Sequence, residues 1–201
     1  MLNLGRPASL NRENVSEVCM NIYWKHGIKN ISYNDVIKTS GLSKGSFYKL
    51  FDNEDDLQAE TLKKYNNKHV NSLIDKLEDI EDFLQMMSIL ENWKFNDNLK
   101  YCYFFISYLE RYRMGKKTKN SINNIEFKYR QLLKKIYKKH VERYNINKNN
   151  FKIDQVVNFI FSAIAFISLL HRNKSNISKI LLYRDSLYQF IYSLGNTKNC
   201  M

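Results

Sequence analysis

The chain has 201 residues, 44% of them hydrophobic and 26% charged, with one proline and six glycines. That is enough apolar material for one large domain or two small ones, and too few turn formers for a many-turned β-sandwich. A net charge of +12 directs attention to an anionic partner, while three cysteines, odd in number and far apart at 19, 102 and 200, argue against a disulfide framework and for a reducing cytoplasm.

The first fourteen residues contain no apolar stretch of the kind that opens a secretory signal. From Asn11, a ready N-cap, apolar residues Val15, Val18, Cys19, Ile22 and Tyr23 recur at helical spacing until Gly27, predicting a first helix. Ser32 and Asp35 have capping-box spacing and open a short second helix to Thr39, ended by Gly41. Ser43 caps again, and Lys44 to Leu50 make a third helix of barely two turns. Two short helices joined by a tight glycine-containing turn form the helix-turn-helix pattern.

Asn53 then caps a fourth helix whose first turn is Glu54, Asp55 and Asp56, a start that suits the helix dipole. Further helical segments are expected at 80–95, 99–114, 118–145, 153–172 and 176–194. The longest apolar run, residues 156–170, contains Asn158 and two serines and reads as a buried helix too short to span a membrane. The fold class expected is all-α, about nine helices, with a DNA-binding domain over residues 1–55 and a larger helical domain over 56–201.

In a helix-turn-helix the second helix presents its N-terminal residues to base edges in the major groove. Here Lys44 and Ser46 can donate to bases or phosphates, and Gly45 lacks the Cβ that would hold the backbone away. Tyr48 and Lys49 follow a turn later, placed to clamp phosphates on the groove wall. Phe47, Leu50 and Phe51 are left for the core.

These residues resemble the TetR family of bacterial transcriptional regulators, from Gly5-Arg6-Pro7 through "YWKHG" at 23–27 to "SGLSKGSFYKLF" at 40–51 and Leu57. The resemblance implies that Ser32, Lys44, Gly45, Ser46, Tyr48 and Lys49 lie on DNA and that Arg6 sits on an arm able to reach a groove. It also implies that the rest of the chain is a helical ligand-binding and dimerisation domain. Two positions depart from the family pattern: Glu54 stands where a phosphate-binding Lys is common, and Ile37 where a small alanine is usual.

In that larger domain, rings and sulfurs cluster between 80 and 114. Phe83, Met87, Trp93, Cys102, Phe105, Tyr108 and Tyr112 are the candidates to line a pocket for a small hydrophobic or aromatic effector, with packing in an ordinary core as the alternative for each. Cys102 resembles a thiol that opens the corresponding helix in one branch of the family, which raises a sensing role against that of an inert buried cysteine. Towards the chain end, Val157, Ile160, Phe161, Ile164, Ile180, Leu187 and Ile191 form apolar stripes suited to pairing two copies into a four-helix interface.

Charge is unevenly distributed. Residues 1–57 hold seven Lys/Arg and seven acids, whereas residues 111–148 hold thirteen Lys/Arg and two acids, a run that reads as a solvated helix face. No metal-ligand spacing, phosphate loop or nucleophile elbow appears, so neither a cofactor nor an enzymatic activity is expected. The reading is a cytoplasmic, homodimeric regulator that binds a pseudo-palindromic double-stranded operator, with a repressor released by its effector as the form expected. A basic protein binding DNA without sequence choice is the alternative.

Overall fold

The computed structural model describes residues 11–92, 101–146 and 152–195. Among these residues every regular element is helical: α1 (Arg12–His26), α2 (Tyr33–Thr39), α3 (Lys44–Tyr48), α4 (Glu54–Tyr65), α5 (Asn71–Glu78), α6 (Phe83–Asn92), α7 (Tyr103–Leu109), α8 (Lys116–Arg143), α9 (Ile153–Arg172) and α10 (Ile177–Gly195). A π turn over Asn66–Val70 joins α4 to α5 without a break, so the described residues form nine helical rods. The all-α architecture is the one the sequence pattern leads to.

The N-terminal unit forms by local rules. Asn11, Ser32, Ser43 and Asn53 each adopt an extended backbone and accept a hydrogen bond from a first-turn amide of the helix they open. Gly27 ends α1 at φ 92° with its amide donating to the Tyr23 carbonyl at 2.7 Å. Gly41 turns the chain between α2 and α3 at φ 77°. Val36, Ile37, Phe47 and Phe51 are buried together, so Ile37 is accommodated between the two short helices in place of a smaller residue.

The rod 54–78 is the seam between this unit and the rest. Trp24 of α1 is buried edge-on against Tyr65 (ring centroids 5.1 Å apart) and His69 (5.2 Å), and the π turn sets those two rings side by side. The Trp24 indole N–H donates to the Tyr101 carbonyl at 2.9 Å, and the Tyr101 hydroxyl donates back to the Trp24 carbonyl at 2.9 Å. At the end of α9, Arg172 pairs with Glu110 at 3.1 Å and donates to the His26 carbonyl at 3.3 Å, which ties α9 to the C-terminal end of α1.

α8 is the spine of the larger unit, with Ile122, Ile125, Tyr129, Leu132, Leu133 and Ile136 buried at helical spacing against α4, α5, α7 and α9. Its basic run is largely engaged within the fold. Lys117 pairs with Asp56 (2.9 Å) and Asp52 (3.3 Å), Arg130 with Glu126 (2.7 Å), Lys134 with Asp154 (2.8 Å) and Arg143 with Asp82 (3.3 Å), while Lys139 donates to the Ile80 carbonyl at 2.8 Å. α9 extends beyond the fifteen-residue apolar run and, at 20 residues, is long and apolar enough to cross a membrane by length and composition alone. It packs against α7, α8 and α10.

Gly27 combines a backbone region open almost only to glycine with a tight neighbour: a Cβ there would stand 1.8 Å from an Arg172 guanidinium nitrogen. Gly27→Ala is therefore expected to destabilise the fold by about 1–3 kcal/mol, measured by chemical denaturation; an unchanged midpoint would show that neither constraint operates.

Candidate nucleic-acid interface

The α2–turn–α3 face stands clear of the remainder of the fold. Lys44, Gly45 and Lys49 are exposed, Ser46 is half-buried and Tyr48 is 52% exposed. Nothing lies within 4 Å of where a Gly45 Cβ would be, so the face is open at the point where α3 begins. The Ser43 hydroxyl takes the Ser46 amide at 3.2 Å and donates to the Ser46 hydroxyl at 3.0 Å, which leaves the Ser46 proton free to donate outward. Ser32 is exposed, but its hydroxyl is used in capping α2: it accepts from the Asp35 amide at 3.1 Å and donates to the Asp35 carboxylate at 2.6 Å. Lys49 sits just past the last turn of α3, at its C-cap. Arg6 lies outside the described residues.

Two residues that sequence spacing did not single out complete the face. Tyr33 packs edge-on against Phe47 (5.7 Å) and Tyr48 (6.0 Å), so the Tyr48 ring is held from behind. Arg12 stacks over the Phe51 ring at 4.8 Å, donates to the Leu50 carbonyl and pairs with Asp56 at 2.8 Å, fixing the end of α3 to α1 and α4. Tyr33 had a faint signal as the residue following a cap; Arg12 had none, because its partners lie about forty residues away in sequence.

The zero net charge of residues 1–57 conceals a strongly polarised arrangement. Glu13 and Glu17 pair with Lys64 and Lys68, Glu54 with Lys29 at 3.1 Å, and Asp52 and Asp56 with Lys117. Glu54 is thus committed to an internal pair and to the Gln58 amide at 2.6 Å. Among the described residues, Lys38, Lys44 and Lys49 make no ion pair. Three of the four neutralising lysines, Lys64, Lys68 and Lys117, come from beyond residue 57, which leaves Lys38, Lys44 and Lys49 of the helix-turn-helix outnumbering its one acid, Asp35.

The other expected residues are distributed differently from the sequence reading. Phe83 and Met87 are buried beside α8 and α10, with Phe83 5.4 Å from the His140 ring. Phe105 stacks on Tyr129 (5.4 Å) and meets Phe161 edge-on (5.2 Å), and Tyr108 also lies against Phe161 (5.1 Å), so these rings fill one another's space. Tyr112 is 77% exposed on a single 3₁₀ turn and faces solvent, and Trp93 lies outside the described residues. A shallow groove of about 350 Å³ between α5 and α8 is lined by Ile74, Phe127 and Leu132 with polar neighbours, and by none of the seven expected residues.

The expected dimer stripe is also turned inward. Val157, Ile160, Phe161, Ile180, Leu187 and Ile191 are buried within the single chain and Ile164 is half-buried. The apolar residues left outside are Phe159 and Phe166 on α9 with Ile177, Leu181, Leu182, Tyr183 and Tyr192 on α10. Ring pairs Phe159–Phe190 (4.3 Å) and Phe166–Tyr183 (4.8 Å) join the two helices on that side. The stripe with the strongest apolar spacing serves the chain's own core, and the weaker one remains uncovered.

No protein-family model matches the chain, and no curated protein does. Solved structures do. The chain is similar to a TetR-family transcriptional regulator from Cytophaga hutchinsonii with a TM-score of 0.75 at 18% identity, over 96% of this chain and 100% of that one. The fold is that of the TetR-family regulators. A TetR-family regulator from Agrobacterium tumefaciens superposes with a TM-score of 0.73 at 12% identity, over 90% of this chain and 99% of that one. A cysteine mutant of the TetR-family regulator CifR, complexed with a 26-base-pair operator duplex, gives 0.70 at 13%, over 92% and 98%.

Within this TetR fold Cys102 is fully enclosed. The Tyr65 hydroxyl donates to its sulfur at 3.2 Å, and burial pushes its pKa up to about 11. Such a thiol holds little thiolate at neutral pH. Alkylation of Cys102 at pH 8 in the folded protein, followed by peptide mass spectrometry, is expected to run roughly a hundredfold or more slower than that of free cysteine; a rate near the free value would restore the sensing role.

Proposed function

We propose that the chain is a TetR-like, DNA-binding transcriptional regulator, acting as a cytoplasmic homodimer on a pseudo-palindromic operator. The observation that carries this is the α2–α3 face, where Lys44, Gly45, Ser46, Tyr48 and Lys49 stand together on the open side of a TetR fold and the lysines lack ion-pair partners among the described residues. The N-terminal unit, residues 1–55, supplies DNA contact, and residues 56–201 supply pairing and effector response. The reading includes no catalytic activity.

Lys44 and Ser46 at the start of α3 face base edges, with Gly45 allowing the backbone close. Tyr48 and Lys49 hold phosphates on the groove wall, and Ser32, at the start of α2, joins them by turning its hydroxyl proton from the Asp35 carboxylate to phosphate. Pairing uses the outer face of α9 and α10, since Phe159, Phe166, Leu182 and Tyr183 form an apolar patch of a kind that monomers rarely leave exposed. A second copy related by a two-fold axis covers it and presents two recognition helices one DNA turn, or a multiple, apart. In this reading the regulator is a repressor. Its hydrophobic or aromatic effector enters by parting the Phe105–Tyr129–Phe161 packing and shifts the population away from the DNA-competent dimer.

The alternative of a basic protein without sequence choice draws less support, because Lys117, Arg130, Lys134, Lys139 and Arg143 of α8 are engaged within the fold. Footprinting on the DNA flanking its own gene is expected to show protection of a short inverted repeat. The Tyr48→Phe, Lys49→Ala double variant is expected to lose that protection with its helical circular dichroism intact; retained protection would remove the assignment. Sedimentation at micromolar concentration is expected to give twice the chain mass of 24.1 kDa, and Phe166→Glu with Leu182→Glu to return it to one; a monomeric parent would contradict the pairing face.

A further inference from the structure

α8 is the longest helix of the chain, yet it begins at a residue that cannot cap it: its N-cap position is Gly115, with no side chain. The missing cap comes from the other unit. One oxygen of the Asp55 carboxylate accepts from the Lys117 amide at 2.9 Å, and the other accepts from the Thr118 amide at 3.0 Å and the Thr118 hydroxyl at 2.6 Å. These are the second and third amides of the helix, the pair that an ordinary N-cap side chain serves. Gly115 is what admits the carboxylate, since a Cβ there would stand 2.3 Å from Asp55 Cγ and 2.5 Å from each of its oxygens. Alongside, Lys117 holds Asp52 and Asp56.

We infer that Asp55 caps α8 across the boundary between the two units and is a positioning residue for the DNA-contacting face. This rests on the DNA-binding reading above. The carboxylate has no opening to DNA of its own; it acts through α8. Burial raises its pKa, and the hydrogen bonds from the Thr118 hydroxyl, the Thr118 amide and the Lys117 amide outweigh burial and hold the carboxyl below the ordinary range, so it is ionised and capping at neutral pH. Two turns further along, and again beyond, α8 carries Ile125 and then Tyr129, which stacks on Phe104 and Phe105. The same rigid helix therefore touches the first turn of α4, and Asp52 just past α3, at its own first turn and the aromatic core at its middle. A rearrangement of that core that moves α8 moves the seat of the recognition helix with it.

The test uses the full chain and compares Asp55→Ala, Asp55→Asn and Gly115→Ala by hydrogen exchange at the Lys117 and Thr118 amides and by titration of a duplex from the DNA flanking its own gene. In Asp55→Ala those amides are expected to exchange roughly fivefold faster. DNA affinity is expected to weaken by a similar factor, because DNA then selects a seated conformer that is less populated. Direct electrostatics predicts the opposite sign, since losing a negative charge near DNA tightens binding. Gly115→Ala, which leaves charge unchanged, is expected to reproduce both effects, and adding it to Asp55→Ala to make neither worse. Asp55→Asn keeps an acceptor and is expected to restore most of both; it also serves if the alanine variant fails to fold. Unchanged amide exchange in Asp55→Ala or Gly115→Ala overturns the cap. Faster exchange with equal or tighter DNA binding overturns the positioning role. If the unsubstituted chain does not prefer that duplex over a scrambled one, the regulator reading fails and the positioning role with it, while the exchange measurements still decide the cap.

Discussion

The first turn of α4 is the constraint on which the rest of the structure depends. It has to begin its own helix, seat the helix-turn-helix and receive α8, and it does so with three consecutive acids behind an asparagine cap. Asn53 satisfies the Asp56 amide at 3.0 Å, Asp56 gathers Arg12 and Lys117, Asp55 takes the end of α8, and Glu54 turns to Lys29. Acidic groups near a helix N-terminus are favoured by the dipole, and here each is also directed to a different neighbour. A lysine at position 54 could reach DNA phosphate; the glutamate instead contributes to cohesion between the elements behind the interface.

Charge and function separate along the same line. Most acids of the N-terminal unit lie along the rod 54–78, where Glu13, Glu17, Asp52 and Asp56 meet lysines from that rod and from α8; Asp35 is the exception, exposed on α2 and bonded to Ser32. The unit's unpaired lysines face outward beside hydroxyls, a glycine and a tyrosine. A helix-turn-helix with no net charge can still present a positive surface, because what an approaching polyanion meets is the local field. Conversely the conspicuous basic run on α8, with a far larger net charge, is mostly spent on holding that helix to its surroundings.

The helix-turn-helix was legible in the sequence because its determinants are local: Ser32 and Ser43 cap helices three residues away, Gly27 and Gly41 mark turns, and Phe47 and Phe51 repeat at the spacing that buries them. The start of α8 was not, since its cap lies some sixty residues earlier; the pattern placed it at 118 and the helix starts at Lys116. α9 is apolar on more than one side, so periodicity selected Val157, Ile160 and Phe161 without indicating that these face inward and that Phe159 and Phe166 face out. In the same way, composition between 80 and 114 cannot distinguish rings that line a cavity from rings that stack on each other, and Phe105 and Tyr108 do the latter. Arg12 and Tyr33 act through partners that no sequence window contains.

The central claim is that the α2–α3 face reads a DNA sequence. An equilibrium titration of the full chain against labelled duplex from the DNA flanking its own gene, and against a scrambled duplex, at two salt concentrations tests it most directly. The account predicts a preference of roughly a thousandfold or more for the flanking duplex that persists at the higher salt. Equal affinity for both duplexes, falling steeply together with salt, would contradict it.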